Sequence, residues 1–192
     1  MRTISVEDIK NGSSLVRDIK LSILSGDIND NIIPNIRKLK KGNNILFNKP
    51  YWKIIKNHKH NCILTGSAAL LSYGLIDRYP QDIDLILMDE MMIKMKAVTI
   101  ESNGKFKNLK LINSKYDSNI EMIGYYRSGN YDVDFFGYKN EMRYLKVGEY
   151  KIEHPIDILF KKIEIYQNNP SERRSKDYFD IHKILQKLRY VD

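Results

Sequence analysis

Twice in this sequence an acid alternates with a large apolar residue: Asp82-Ile83-Asp84-Leu85-Ile86-Leu87 and Tyr131-Asp132-Val133-Asp134-Phe135-Phe136. Successive side chains of a strand point to opposite faces. Read as strands, the two segments each show a pair of carboxylates on one side. Ile83, Leu85 and Leu87 in the first, and Val133 and Phe135 in the second, face the other way, into a core. Two adjacent carboxylates repel each other and resist ionising together. A bound cation removes that penalty, and carboxylate oxygens are the ligands Mg²⁺ prefers. If the second strand lies beside the first, a third carboxylate joins Asp82 and Asp84: Asp134, or Asp132 as its alternative. Three carboxylates can hold two ions about 3.5–4 Å apart, which clamps the attacking and leaving oxygens of an in-line phosphoryl displacement. The third can also accept the proton of an attacking hydroxyl.

The rest of the chain places these strands in an α+β outline. Residues 1–60 carry loosely helical apolar spacing over Val6 to Lys10, Ser14 to Leu24, Ile36 to Lys41 and Tyr51 to Asn57, broken at Gly12, Gly26, Pro34 and Gly42. Asn61 to Thr65 reads as a short strand that turns at Gly66-Ser67 into a helix beginning Ala68-Ala69-Leu70-Leu71. Asp82 to Met88 is a strand, Asp89 to Lys96 a helix, and Lys107 to Ile112 another strand. Ile120 to Arg127 and Tyr131 to Tyr138 form a hairpin around a Gly-containing loop. Met142 to Val147 and Tyr150 to Glu153 form a second hairpin across Gly148-Glu149. Pro155 starts a helix with Ile156, Leu159, Phe160 and Ile163 at helical spacing, and Ser175 caps a last one. Three regions follow: a helical N-terminal extension (1–60), a sheet core (61–153) and a helical C-terminal region (154–192).

Gly66-Ser67 falls where a phosphate is best received. Glycine lets the backbone approach closely, and a helix N-terminus offers unpaired N–H groups at its positive end. The serine adds a hydroxyl.

The order Thr65-Gly66-Ser67-Ala68-Ala69-Leu70, Gly74-Leu75, Arg78, Pro80, Asp82-Ile83-Asp84-Leu85 and Val133-Asp134-Phe135 resembles the DNA polymerase beta superfamily of nucleotidyltransferases. Within it the chain looks most like the AbiEii-type toxin family, which includes nucleotidyltransferase toxins that modify tRNA. Asp157-Ile158-Leu159-Phe160-Lys161-Lys162-Ile163 resembles that family's lysine helix, with Lys162 better aligned than Lys161. Arg173-Arg174-Ser175-Lys176-Asp177-Tyr178-Phe179-Asp180 resembles the segment that follows. The similarity spans residues 61–185 in scattered motifs and departs from the pattern in the long lysine-rich stretch between Asp84 and Asp134. It implies a nucleotidyltransferase fold and Mg²⁺- or Mn²⁺-dependent transfer of NMP from an NTP. Asp82, Asp84 and Asp134 would be the metal-binding and catalytic residues, and Gly66, Ser67, Lys162, Lys176 and Asp177 would be nucleotide-binding. It also implies RNA, a tRNA 3′ end, as the acceptor and a cognate antitoxin or regulatory protein as a partner. A small-molecule or protein acceptor, or a non-catalytic binding protein that keeps the fold, are the rivals.

Charge agrees with a polyanionic partner. Lys plus Arg number 32 against 24 Asp plus Glu, giving +8. Apolar residues make up 42% of the 192, enough for a core, and no run approaches the ~20 residues of a membrane helix. The N-terminus shows no apolar signal segment. With one cysteine, Cys62, no internal disulfide can form, so a cytoplasmic setting is expected and Cys62 reads as a small buried hydrophobe. His58 and His60 lack partners at metal-ligand spacing and read as solvated. His182 either touches nucleotide or packs. Lys38, Lys40 and Lys41 form a basic cluster, and Tyr125, Tyr126, Tyr131 and Tyr138 could stack on bases.

Overall fold

A computed structural model describes residues 6–28, 34, 55–56, 59–78, 80, 82–88, 109–111, 120–128, 131–168 and 175–188. The helices expected over 36–41 and 89–96, the basic cluster at 38–41, Trp52 and His58 lie outside them. The chain divides into two compact units: residues 34–154, and residues 1–33 together with 155–192. The region read as one N-terminal extension over 1–60 is thus divided, its first 33 residues grouping with the C-terminal helices.

Among the described residues the first unit is a seven-stranded mixed sheet with the helix 66–73 against it. Its elements are β1 (Cys62–Thr65), α3 (Gly66–Tyr73), β2 (Ile83–Leu87), β3 (Leu109–Leu111), β4 (Ile120–Ser128), β5 (Tyr131–Tyr138), β6 (Tyr144–Val147) and β7 (Tyr150–Glu153). The order across the sheet is β3-β4-β5-β2-β1-β7-β6. Hairpins account for the flanks: β4 pairs antiparallel with β5, and β6 with β7. The centre is built from distant pairings. β2 lies antiparallel to β1 and parallel to β5, and β1 lies parallel to β7. Both expected hairpins are present. β4 extends to Ser128, which pairs with Tyr131, and β6 starts at Tyr144 rather than Met142.

Alternation sorts the sheet residues as expected. Ile83, Leu85 and Val133 are 0%, 2% and 1% exposed on the face opposite the acids. The acid-bearing face is also apolar further along the strands, where Ile63, Ile86, Ile120 and Tyr138 form a buried cluster flanked by Met88, Phe136, Met142 and Tyr144. Tyr138, one of the strand tyrosines that could either stack on a base or join the core, belongs to this cluster.

The second unit packs α1 (Val6–Lys10), α2 (Gly12–Leu24), α4 (Pro155–Asn168) and α5 (Ser175–Lys187). Pro155 opens α4, where its missing N–H costs nothing. The break expected at Gly12 is present between α1 and α2, and Gly12 itself opens α2 and is buried. An ideal Cβ there would sit 2.7 Å from Ile163 Cγ2 and Gln167 Oε1 of α4, so glycine is needed for close helix approach. No helix among the described residues is long and apolar enough to cross a membrane.

Cys62 is 2% exposed in β1, and burial pushes its thiol up to about 12 despite nearby Lys151. The folded state therefore favours the protonated thiol. Its contribution to stability is complete below the unfolded-state value of about 8.5 and is lost as pH rises toward 12. In the folded protein at pH 8, Cys62 should react with a maleimide on the order of 10³-fold more slowly than in the urea-unfolded chain, as its thiolate fraction dictates. Stopped-flow labelling with and without urea measures this.

Candidate metal centre

β2 and β5 lie side by side in parallel register, with Ile83 opposite Val133 and Asp84 opposite Asp134. Because both strands alternate in phase, Asp84 and Asp134 emerge on the same face as neighbours. Asp82, two residues before Asp84, joins them from the bend that leads into β2. One carboxylate oxygen from each of Asp82, Asp84 and Asp134 lies within 4.8 Å of the others, and all three residues are half-buried. No other group of three potential ligands is found among the described residues. Asp134 completes the trio, and the side chain of Asp132, the alternative, lies outside the described residues.

The donor set fits a hard divalent ion. All three ligands are carboxylates, and an ion with bonds of about 2.1 Å spans oxygens up to about 4.2 Å apart, so side-chain rotations of a few tenths of an ångström suffice. Partial exposure leaves room for water and a phosphate in the remaining positions.

The strand-to-helix turn abuts this cluster. Gly66 has φ +62° and follows β1 directly. An ideal Cβ on it would lie 2.8 Å from Cγ of Asp84 and would collide with that carboxylate. Glycine is thus required twice, for its left-handed backbone and for the space Asp84 occupies. Thr65 is opposite Asp84 on β1 and occupies the N-cap position of α3, yet it makes no side-chain cap. Its hydroxyl instead donates to Oε2 of Glu153, a fully buried carboxylate on β7. The N-cap side chain is thus turned away from the first turn of α3, the positive end of that helix. Ser67 takes the next position, and its Oγ accepts from Nη2 of Arg78 at 2.8 Å. This guanidinium adds a second positive charge at the turn. Tyr73, at the far end of α3, donates to the carbonyl of Glu153 at 2.9 Å and ties the helix to β7. Burial, and then the Glu153 charge, raise the Tyr73 phenol above its ordinary range.

Thr65, Glu153 and the role of Arg78 escaped sequence reasoning. Arg78 was visible as the basic residue before Asp82-Ile83-Asp84. Glu153 carried no local signal, because only the parallel pairing of β1 with β7 brings it to Thr65.

Lys162, Asp177 and Lys176 belong to the helical unit. Lys162 Nζ donates to Asp177 Oδ1 at 3.0 Å and lies 3.1 Å from Asp180 Oδ2, with the three side chains 11%, 6% and 3% exposed. Asp177 and Asp180 are one helical turn apart on α5 and so share a face. The cluster joins α4 to α5. Lys176 is half-buried in the first turn of α5. His182 lies beside Tyr178, with ring centroids 6.2 Å apart. His60 is exposed, with Nε2 3.9 Å from Glu149 Oε1, as expected of a solvated histidine.

Set against family models, curated proteins and solved structures, the chain matches none of them.

Three variants probe these contacts. Without divalent cations, Asp84→Asn should melt at or above the wild-type temperature, since it relieves like-charge repulsion; adding Mn²⁺ should raise the wild-type Tm and leave the variant unmoved. Gly66→Ala should lose the Mn²⁺ response as well, because its Cβ displaces Asp84. Lys162→Met should cost about 3–5 kcal/mol in urea unfolding, because it strands two buried carboxylates. A cost under about 0.5 kcal/mol would show that the cluster holds nothing together.

Proposed function

We propose that residues 34–154 are the catalytic core of a nucleotidyltransferase that uses a divalent cation, Mg²⁺ or Mn²⁺, to move NMP from an NTP onto an acceptor hydroxyl. The observation that carries this is the trio Asp82, Asp84 and Asp134, gathered on one sheet face against the Gly66 turn. Three acids alone would make a generic cation site. A helix N-terminus and an arginine beside them add a receptor for phosphate, and the two together suit a metal–nucleotide complex. The mixed sheet with its strand-Gly-Ser-helix turn is the arrangement a nucleotidyltransferase fold of the DNA polymerase beta kind would need.

In the reaction, the acceptor oxygen forms a bond to the α-phosphorus as the bond from that phosphorus to the bridging oxygen breaks. Pyrophosphate leaves, and the acceptor proton passes to a carboxylate, for which Asp134 is the candidate. When bound, the cation supplies positive charge to the phosphate oxygens and orients the two partners. The chain's own part is to hold Asp82 and Asp84 as ligands, to fix Asp84 against Gly66, and to receive the phosphates on the Gly66–Ser67 amides near Arg78. Thr65 and Glu153 hold the end of β1 where that turn begins. Net charge of +8 favours RNA as the acceptor. A tRNA end, and a cognate antitoxin or regulatory protein as partner, follow from the resemblance to AbiEii-type toxins. Nucleotide contacts by Lys162, Lys176 and Asp177 rest on that resemblance alone.

The test is transfer of label from each α-labelled NTP, with Mg²⁺ or Mn²⁺, onto cellular RNA and protein. Label on RNA is expected for the intact protein. The Asp82→Ala and Asp84→Ala variants should fall below about one-hundredth of it, since loss of a ligand should exceed the 10–100-fold cost of losing a ligand's supporting group. Equal labelling by these variants would sink the proposal, and label confined to protein would replace the acceptor.

A further inference from the structure

The acid-bearing face of the sheet continues beyond the carboxylates into a cavity of about 410 Å³. Ile63 and Ile86, paired across β1 and β2, form its floor. Each is two residues from the carboxylate row on the same face: Ile63 from Thr65, Ile86 from Asp84. At about 3.3 Å per residue, the cavity begins within about 7 Å of that row. Tyr138 and Tyr144 supply aromatic walls, and Met88 and Met142 add polarizable thioethers that pack well on rings. Its volume lies within the range of about 300–1,000 Å³ common for small-molecule sites.

The polar side chains that line it are His60, Asn61, Asn140, Glu141 and Lys151. Lys151 Nζ lies 5.9 Å from the centre of the Tyr144 ring and donates to the His60 carbonyl at 2.7 Å and to Met88 Sδ. A thioether sulfur is a weak acceptor, so the second of these bonds yields at little cost to a carbonyl oxygen on a ligand. Asn61 and Asn140 add amides, which match the donor and acceptor edges of a base. An apolar cleft with tyrosines, thioethers, amides and one exchangeable ammonium donor suits a flat heteroaromatic ring.

Position along β1 says which ring. The cavity takes His60, Asn61 and Ile63; the carboxylate row comes next, at Thr65; the phosphate-receiving turn follows, at Gly66–Ser67. Cavity and turn therefore lie on opposite sides of the Asp84–Asp134 pair, with Asp82 level with the turn. In a phosphoryl transfer the attacking and leaving oxygens are roughly in line across phosphorus. With pyrophosphate leaving on the side of the turn, the attacking hydroxyl approaches from the side of the cavity.

We propose that this cavity is an acceptor subsite that binds the nucleobase of the nucleotide whose hydroxyl is modified. The acceptor role rests on the nucleotidyltransferase reading above; nucleobase binding does not, since it needs neither metal nor phosphate. The experiment is ligand-observed NMR of the four ribonucleosides with the full chain in EDTA, beside Tyr144→Ala, Met142→Trp and Asp84→Asn. Met142→Trp fills the cavity from an irregular segment, so it stands in should Tyr144→Ala not fold; a thermal melt of each variant confirms folding. At least one nucleoside should bind the wild type and Asp84→Asn alike. Binding should weaken about tenfold in Tyr144→Ala, the scale of a lost base stack, and in Met142→Trp.

A second arm adds Mg²⁺ and a non-hydrolysable NTP. Retained nucleoside binding supports the acceptor assignment, while competition would give the cavity to the base of the NTP and overturn it. No nucleoside binding to the wild type, or binding unchanged in both cavity variants, overturns the subsite. Preference for N-acetyltyrosinamide over every nucleoside would overturn it in favour of a protein acceptor. Nucleoside binding in a protein that binds neither Mn²⁺ nor NTP would show that the nucleotidyltransferase reading, and with it the acceptor role, had failed while the nucleobase site stood.

Discussion

The parallel pairing of β2 with β5 is what the candidate site depends on. It sets Asp84 beside Asp134 and so gathers three carboxylates that repel one another. At the 4.8 Å bound, each ionised pair costs about 1 kcal/mol in a water-like dielectric and about 3.5 kcal/mol at an effective dielectric near 20. Opposing this, Ile83, Leu85 and Val133 are buried behind the acids, each worth about 1.5–3 kcal/mol. The two effects are comparable in size. The apolar face can hold the strands together against the acids, and a cation would turn the acidic face from a cost into a source of stability.

Around that pairing the sheet carries a polar row: Glu153, Thr65, Asp84 and Asp134, one residue from each of β7, β1, β2 and β5. Its members divide the work. Glu153 draws the Thr65 hydroxyl sideways, which turns the N-cap side chain away from the start of α3. Gly66 leaves the volume that the Asp84 carboxylate fills. Arg78 holds Ser67 and brings positive charge to the turn. Acids and positive groups are thus gathered at one edge, which suits a ligand that carries both cation and phosphate.

The helical unit shows the limit of motif reasoning about charge. A lysine followed at a distance by two acids spaced three apart is equally consistent with phosphate binding and with a buried salt-bridge cluster. Lys162 does lie in a buried ion-pair cluster with Asp177 and Asp180, a contact that the motif alone does not specify. Both are electrostatic solutions to the same desolvation problem, and only the identity of the neighbours separates them.

Alternation along a strand is local, so the sequence by itself determined which faces of the 82–87 and 131–136 segments carry acids and which are buried. Turn and helix chemistry is local too. The Gly66-Ser67 turn, both hairpins, the start of α4 at Pro155 and the inert, buried character of Cys62 were legible for that reason. Tertiary structure decided which strands became neighbours. Nothing near Asp84 specifies Asp134 as its partner across some 50 residues, and nothing near Thr65 specifies Glu153, because both pairings are made by packing distant strands on a shared core. For the same reason Gly12, legible as a helix boundary, also became a point of close helix approach, and Tyr138 became part of a buried cluster. Registers and contacts between distant segments are cooperative properties of the whole sheet and of the packed helices, and no short window of residues contains them.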